Sequence, residues 1–299
     1  MNKNIGAFAG ASGFSKEIEA LIPTLSKNNA SVLLIGERGT GKRFIAQHIH
    51  YSVAKNLGYF YEVNCKSFTE DQVKVALDAV DKLISFDQRI TLFVCFVDEL
   101  SYELQKLFLD LLNKSVKKGM NLKIICSTEC SLEEKVAEGR FLSELYYRLN
   151  AVVLNILPLR QRKEDIVPIA RNYLNSFSKK SGYAFSDFSD SAVQAMVNHF
   201  WIGNIDELIN SVQRAFIVGN PPLINTVDLG LEVENPVVDS VVETSLDDKS
   251  LKNAVDLFKK QYVTKILEEN GWNQTKTAKI LGIQRTYVIR LMNELQIRK

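Results

Sequence analysis

Seven consecutive residues have the types and spacing of a phosphate-binding loop, and an arginine follows them. The segment reads Gly36-Glu37-Arg38-Gly39-Thr40-Gly41-Lys42-Arg43, which fits the pattern G-x-x-x-x-G-K. Its glycines let the backbone turn tightly and aim N–H groups at an anion, while Lys42 reaches the outer phosphates. The apolar run at residues 32–35 predicts a buried strand before the loop, and a helix is expected after it. We predict an ATP site at residues 36–43; the alternative is an ordinary glycine-rich turn.

A second group of reactive side chains follows another apolar run, at residues 90–97. Asp98 and Glu99 stand at its end, and ligands of open α/β sheets bind at the carboxyl ends of strands. Asp98 is therefore predicted to hold Mg²⁺, directly or through water, and Glu99 to act as general base on the attacking water. Two solvated acids on a surface turn are the alternative. Arg43 stands where a Ser or Thr commonly holds the metal, so Mg²⁺ would need other ligands.

The elements that must position these groups alternate along the chain. Further strands are predicted at residues 58–65, 122–128 and 151–157, and helices at 15–27, 69–84 and 102–117. Strands that alternate with helices indicate a parallel sheet covered on both faces. With 299 residues, of which 46% are apolar, the chain has room for two or three domains. The predicted fold class is α/β, with a smaller all-α part at the end.

The charge distribution points to nucleic acid. Residues 221–248 contain seven acids and no Lys or Arg, whereas residues 249–299 contain eleven bases and four acids. This pattern predicts an acidic linker and a basic DNA-binding tail.

The tail has the spacing of a helix-turn-helix. Helices are predicted at residues 250–270, 275–281 and 285–295, with a tight turn at Gly282. The last helix would enter the major groove, and the residues before the turn would grip phosphates. The predicted DNA contacts are Asn273, Thr275, Lys276, Gln284, Arg285, Thr286, Tyr287 and Arg290. A purely structural three-helix bundle is the alternative.

Cellular location is inferred from what the sequence lacks. It contains no run of eighteen apolar residues, so no membrane span is predicted. The four cysteines contain no C-x-x-C pair and are expected to be mostly buried free thiols, with Cys126 and Cys130 as weak metal-ligand candidates. We expect a cytoplasmic protein.

Three further segments carry a resemblance to a known family. They are residues 138–150 (EGRFLSELYYRLN), 157–166 (LPLRQRKEDI) and 200–208 (FWIGNIDEL). Together with the phosphate loop they resemble the AAA+ domain of bacterial enhancer-binding proteins, the sigma-54-dependent activators. The tail resembles the Fis-type domain that ends many of these activators. The resemblance implies an AAA+ α/β domain at 1–162, a helical lid at 163–222, a linker at 223–250 and a Fis-type domain at 251–299. It also implies ATP-driven rings that act on RNA polymerase, and a dimer through the long first helix of the tail.

The sequence departs from that family at several functional positions. The loop that reads Gly-Ala-Phe-Thr-Gly-Ala in the family is missing from residues 66–89, and a similar hexapeptide at residues 6–11 is interpreted as chance. Glu129 replaces the family's sensor Asn, Leu142 replaces the first of two trans-acting arginines, and Asp206 replaces the lid arginine. Only Arg148 is kept as a predicted catalytic arginine. An arginine finger contributes roughly three to five orders of magnitude in rate, so we expect a weak ATPase at most.

Three functions remain open from the sequence. The first is a DNA-binding regulator with a degenerate ATP-binding domain. The second is a working ATPase that activates sigma-54 polymerase, against which the missing loop argues. The third is a decoy or mixed-ring partner of a related AAA+ activator.

Overall fold

The chain folds into two compact units, residues 1–232 and 233–299. The computed structural model describes residues 8–52, 58–83, 89–117, 121–181, 185–231 and 251–297.

A five-stranded parallel sheet forms the centre of the first unit. Its strands are β1 (Val32–Ile35), β2 (Tyr59–Asn64), β3 (Ile90–Cys95), β4 (Leu122–Thr128) and β5 (Val152–Asn155), in the order β2-β3-β4-β1-β5. β1 lies between β4 and β5, with Leu33 paired to Cys126 on one side and Val153 on the other. The predicted α/β class is confirmed.

Helices cover both faces of this sheet. They are α1 (Gly13–Lys27), α2 (Lys42–Tyr51), α3 (Glu70–Leu83), α4 (Tyr102–Lys117), α5 (Leu132–Ala137) and α6 (Ser143–Leu149). In β3 the side chains alternate: Leu92 and Val94 pack towards α3, α4 and α6, whereas Phe93 packs towards α1 and α2. Burial on both faces explains why β3 and β4 are apolar almost throughout.

Strand β3 ends two residues earlier than predicted. After Cys95 the backbone of Phe96 adopts a positive φ of 55°, and a 3₁₀ turn at Val97–Glu99 follows. The prediction of a strand to residue 97 was wrong because an apolar run cannot distinguish a buried turn from a buried strand. The turn places Asp98 towards the interior and leaves Glu99 exposed.

A helical lid completes the first unit. It contains α7 (Ile166–Ser181), α8 (Asp190–Asn198), α9 (Asn204–Val218) and α10 (Thr226–Leu229), with short strands β6 (Asp187–Phe188) and β7 (Leu223–Ile224) paired to each other. Trp201 is fully buried at its centre and donates to the Met196 carbonyl at 2.7 Å. Ile224 and Leu229 belong to the same apolar core. The packed lid therefore includes residues beyond the boundary at residue 222 that the resemblance implied. The acidic linker stays a prediction, and residues 232–250 lie outside the described part.

A buried carboxylate ties the start of the chain to the beginning of the lid. Asp165 is fully buried and accepts hydrogen bonds from Ala11 N (2.6 Å), Ser12 N (2.7 Å), Ser12 Oγ (2.9 Å) and Ser15 Oγ (2.6 Å). The guanidinium of Arg162, also buried, lies 3.7 Å from Asp165 Oδ2. Phe8, from the hexapeptide at residues 6–11, packs on Phe44 of α2. Phe8 and Ala11 of this segment are thus packed against or bonded to the folded domain.

Within residues 251–297, the described part of the second unit, three helices are present: α11 (Leu251–Glu269), α12 (Gln274–Ile280) and α13 (Arg285–Glu294). Val263, Leu267, Leu291 and Ile297 form its core. The apolar spacing within residues 250–270 predicts an inner helix face that includes Leu251, Val255, Phe258 and Tyr262. In the structure Tyr262 is 44% exposed, and its neighbour Val263 is buried instead. The side chains of Leu251, Val255 and Phe258 lie outside the described part.

Two other sequence expectations concern cysteines and membranes. All four cysteines are free; Cys95 and Cys126 are buried, while Cys65 and Cys130 are half-buried. Burial raises the pKa of Cys95 to about 12. Within the described ranges, no helix is both long and apolar enough to cross a membrane, and no cluster of three or more His, Cys, Asp or Glu residues suggests a metal centre.

Candidate nucleotide site and DNA-binding helix-turn-helix

The phosphate loop lies between the end of β1 and the start of α2, as the sequence predicts. Lys42 is the first residue of α2, so the loop stands at a helix N-terminus, where backbone N–H groups favour an anion. Gly39 has a φ of +76°, and a Cβ added there would lie 2.2 Å from the carbonyl oxygen of Gly203 in the lid. Glycine is therefore required at residue 39 by conformation and by close approach of another backbone.

The ammonium of Lys42 is held within the loop itself. Its Nζ donates to the carbonyls of Gly36 at 2.6 Å and Glu37 at 2.7 Å. Burial lowers the pKa of Lys42, and the negative charges of Glu129, Asp206 and Asp98 oppose that shift. The structure thus brings both acids noted in the sequence, Glu129 and Asp206, into the electrostatic environment of the phosphate-binding lysine.

The lid contacts the loop through backbone carbonyls. Asn204 Nδ2 donates to the Arg38 carbonyl at 2.8 Å, and Ile205 N donates to the Gly39 carbonyl at 2.9 Å. Asn204 has a positive φ of 54° and is fully buried, and its Oδ1 accepts from Leu159 N at 2.8 Å. The conformation of residues 38–39 is therefore fixed from the lid side.

Two arginines just before the lid hold the remainder of the loop. Arg162 donates to the Thr40 carbonyl at 2.6 Å. Arg160 pairs with both carboxylate oxygens of Glu37, one of them at 2.7 Å from Nη1. These hydrogen bonds lower the pKa of Glu37 despite its burial. The predicted site residues did not include Arg160, Arg162 or Asn204, although each lies in a segment that resembles the family.

Arg43 does not face the loop. Its guanidinium is 64% exposed and pairs with Glu62 Oε2 of β2 at 2.7 Å. Its predicted role as a nucleotide contact is not supported by this geometry, because the ion pair directs the side chain to β2.

Asp98 is held by a lysine that sequence reasoning missed. Lys135 Nζ, from α5, donates to Asp98 Oδ2 at 2.9 Å and to the Asp98 carbonyl at 2.9 Å, and Cys130 Sγ lies 3.2 Å from the same Oδ2. Burial alone would raise the pKa of Asp98, but the bonds from Lys135 and Cys130 lower it. The same ion pair outweighs burial and raises the pKa of Lys135. Asp98 is therefore a paired carboxylate.

The residues around Asp98 do not fit a protein-bound Mg²⁺. A P-loop protein commonly supplies a hydroxyl after the lysine and a free carboxylate at the strand end. Here Arg43 occupies the first position, the Thr40 hydroxyl donates to the Glu37 carbonyl at 2.8 Å, and an ammonium occupies one oxygen of Asp98. Asp98 Oδ1 is buried and has no hydrogen-bond partner among the described residues. Mg²⁺ is usually held by one or two carboxylates together with substrate phosphates and water, and of these groups only Asp98 Oδ1 is left for it here. We derive no step through a metal.

Arg148 lies apart from the phosphate loop. It is exposed on α6, donates to Asn113 Oδ1 at 2.8 Å, and lines a cavity of about 480 Å³ with Asn29 and Ala151. These residues precede β1 and β5, so Arg148 is at the amino ends of the strands, whereas the loop is at the carboxyl ends. Within one protomer Arg148 and the loop are not brought together, and a trans-acting role stays a prediction.

The helix-turn-helix of the second unit exposes the predicted recognition residues. Gln284, Arg285, Thr286, Tyr287 and Arg290 are all exposed around α13, while Val288 and Leu291 are buried. Arg290 pairs with Glu294 at 2.7 Å on the same helix. The face available to DNA is therefore polar and basic, as predicted.

Asn273, by contrast, has a structural role. Its Oδ1 accepts from Thr275 N and Lys276 N, both at 3.1 Å, and so caps α12. Thr275 and Lys276 are exposed beside it. The cap uses only the amide oxygen of the exposed Asn273, whereas a phosphate contact would use the Nδ2 amide as donor, so that contact stays a prediction.

Comparisons with known proteins agree with both units. The family model described as the sigma-54 interaction domain matches residues 9–159, the AAA+ ATPase lid domain residues 160–245, and the Fis family of bacterial regulatory proteins residues 254–295. The regulatory protein AtoC of Escherichia coli K12 is 30% identical over 297 residues, which cover 91% of this chain and 64% of AtoC. SfnR of Pseudomonas putida, a sigma54-dependent transcriptional activator, is 30% identical over 306 residues, 91% of this chain and 83% of SfnR.

Solved structures show the same fold. NtrX from Brucella abortus, crystallised with ATP, aligns with a TM-score of 0.67 at 24% identity and covers 98% of this chain and 70% of NtrX. RuvB from Thermotoga maritima aligns with a TM-score of 0.53 at 16% identity, over 96% of this chain and 88% of RuvB.

The parallel sheet, phosphate loop and helical lid define an AAA+ P-loop protein, here joined to a Fis-type DNA-binding unit. The chain belongs to the family of sigma-54-dependent transcriptional regulators. It spans 64% of the length of AtoC. The resemblance stated from the sequence is confirmed.

Proposed function

We propose that this protein is a DNA-binding transcriptional regulator whose AAA+ unit binds adenine nucleotide but hydrolyses ATP slowly. The observation that carries the proposal is the electrostatic environment of Lys42, which includes the carboxylates of Glu129, Asp206 and Asp98. The ordered loop around Lys42 supports nucleotide binding. Glu129 and Asp206 oppose the catalytic step.

Phosphoryl transfer depends on positioning and on cations that stabilise negative charge on the transferred group. Glu129 follows β4, and Asp206 lies in the first turn of α9 with its Cβ near the phosphate loop. At both positions the family resemblance implies a neutral or positive side chain. A carboxylate there repels phosphate oxygens and adds nothing to transition-state stabilisation. Slow turnover is the expected consequence.

The proposal does not include remodelling of sigma-54 polymerase. The family's Gly-Ala-Phe-Thr-Gly-Ala loop would stand in residues 66–89, an interval that has no glycine. Regulation is then proposed to act through DNA occupancy, with a homodimer formed through α11, a ring formed by the AAA+ units, and a cytoplasmic location.

Nucleotide binding and turnover are measured on the purified chain, with Lys42→Ala as the control. The proposal expects saturable ATP binding that is lost in Lys42→Ala, together with turnover close to background. Rapid turnover that disappears in Lys42→Ala would establish a working ATPase, the second function considered from the sequence. Absence of binding would remove the nucleotide from the proposal and leave the DNA-binding role.

DNA recognition is tested with fragments enriched from a random pool. Arg285→Ala is expected to cost about 1–3 kcal/mol at the enriched site and to relax its sequence preference, if Arg285 contacts a base. Lys259→Ala removes the same charge from α11, where Lys259 lies near Asp256, and should leave the preference unchanged. Equal effects of the two variants would exclude Arg285 from base recognition. Size-exclusion chromatography with light scattering tests the dimer and the ring.

A further inference from the structure

The Asp98–Lys135 pair is built into the nucleotide site and is nearly closed to solvent. The Asp98 side chain is 7% exposed and that of Lys135 is 17% exposed. Lys135 makes two hydrogen bonds to one residue, at 2.9 Å to the carboxylate and at 2.9 Å to the main-chain carbonyl. Charge-assisted bonds of this kind are stronger than neutral ones.

The backbone of Lys135 is fixed on both sides. Leu132, three residues earlier in α5, is buried in the core beneath the sheet. After the helix, Arg140 N and Phe141 N both donate to the Lys135 carbonyl, at 2.9 and 3.1 Å. The ammonium therefore reaches Asp98 from an anchored position.

The residues before α5 bring a second donor to the same carboxylate oxygen. Cys130 N donates to Thr128 Oγ1 at 3.2 Å, and that hydroxyl donates to the Cys130 carbonyl at 3.0 Å. This arrangement sets the Cys130 thiol against Asp98 Oδ2 at 3.2 Å. A cation that approached Oδ2 would have to displace both Lys135 and Cys130.

We propose that the Lys135 ammonium takes the place of a divalent cation at Asp98, so that the site binds a nucleoside di- or triphosphate without a divalent metal. The lysine supplies, from the chain itself, a positive charge that a bound cation would otherwise supply next to this carboxylate. The Lys42 ammonium, which is held by the loop carbonyls, remains the positive charge that contacts the phosphates. This inference rests on the proposed nucleotide binding.

The test compares affinity for a fluorescent ADP analogue in EDTA and in saturating Mg²⁺. For the unmodified chain we expect the same affinity in both buffers. Lys135→Met keeps the length of the side chain, removes its charge and frees Asp98, so its affinity should become about tenfold tighter with Mg²⁺ than in EDTA. Lys114→Met is the matched control, because Lys114 also pairs with a carboxylate, Asp81 at 3.4 Å, on an exposed surface. It should behave like the unmodified chain.

Electron paramagnetic resonance of Mn²⁺ in the presence of ADP gives a second readout. The Lys135→Met chain with ADP should bind more of the Mn²⁺ than the unmodified chain with ADP. Lys135→Arg keeps the positive charge and should remain independent of metal, so it serves if the Met variant does not fold.

The outcomes separate this inference from the proposed function. A marked loss of affinity in EDTA by the unmodified chain would overturn metal-independent binding but leave nucleotide binding intact. A Lys135→Met chain that gains no metal dependence would overturn the role of Lys135. Binding in neither buffer would overturn the proposed nucleotide function, and this inference with it.

Discussion

Gly39 provides a sharp test of the contact between loop and lid. A Cβ at residue 39 would lie 2.2 Å from the Gly203 carbonyl oxygen, whereas real Cβ atoms stay 3.0 Å or more from such atoms. Gly39→Ala must therefore push the loop away from the lid. The movement would break the hydrogen bond from Ile205 N to the Gly39 carbonyl, now 2.9 Å long.

Gly139 separates this clash from backbone strain. Its φ of +70° resembles the +76° of Gly39, but a Cβ there would meet nothing within 4 Å. Gly139→Ala should cost about 1–2 kcal/mol for the left-handed conformation alone. Gly39→Ala should cost that amount plus about 1–3 kcal/mol for overpacking. The difference between the unfolding free energies of the two variants measures the cost of the contact between the added Cβ and the Gly203 carbonyl.

The assay is urea denaturation followed by Trp201 fluorescence in a Trp272→Phe background. Trp201 lies buried in the lid, and the chain has only these two tryptophans. Nucleotide affinity is measured in parallel and should fall in Gly39→Ala but not in Gly139→Ala. Equal losses of stability, with equal nucleotide affinity, would refute the close contact between Gly39 and Gly203.

Three further predictions concern buried or capping groups. Asp165→Ala leaves the buried Arg162 without its carboxylate partner and should lower the free energy of unfolding by about 3–5 kcal/mol. Asp165→Asn should lower it less, because the amide oxygen still accepts from the backbone; equal losses of the two variants in urea denaturation would contradict this account. Burial lowers the pKa of His50 to about 4 from 6.5, so the unfolded chain binds the proton more readily. The contribution of His50 to the free energy of unfolding is complete above pH 6.5 and is lost as the pH falls towards 4, by up to about 3 kcal/mol. In denaturation curves recorded across this range, His50→Gln should weaken the pH dependence of the unfolding free energy. An unchanged pH dependence would exclude His50 as its source. Asn273→Ala removes the cap of α12 and should destabilise the second unit by about 0.5–2 kcal/mol, followed by Trp272 fluorescence, whereas Lys276→Ala should not.

Local patterns predicted the scaffold well. The apolar residues of β1, β3 and β4 are buried on both faces of a parallel sheet, and such strands appear in a sequence as unbroken apolar runs. The phosphate loop was equally predictable from the sequence, because all its residues are contiguous and its glycines are required by the backbone conformation. The helix-turn-helix was also predictable from local spacing.

The ion pairs that hold the site residues in place were not predictable from local patterns. Lys135 and Asp98 are 37 positions apart, and Arg160 and Glu37 are 123 positions apart. Each residue alone resembles an ordinary solvated charge, and only the packing of α5 and the lid against the sheet makes the partners meet. For Asn273, the helix cap made by its Oδ1 was not predicted from the sequence, whereas a phosphate contact through its Nδ2 stays a prediction.

The hydrogen bonds from Asn204 and Ile205 to the loop also have a consequence for the lifetime of the protein. Any ligand that binds only the ordered loop stabilises the lid through mass action, by about 2.7 kcal/mol at a concentration one hundred times its Kd. Local opening of α9 then becomes rarer by roughly two orders of magnitude, and amide exchange or proteolysis there slows in proportion. Through these contacts the concentration of free ligand sets how long the folded regulator persists, even with no chemical step at the site.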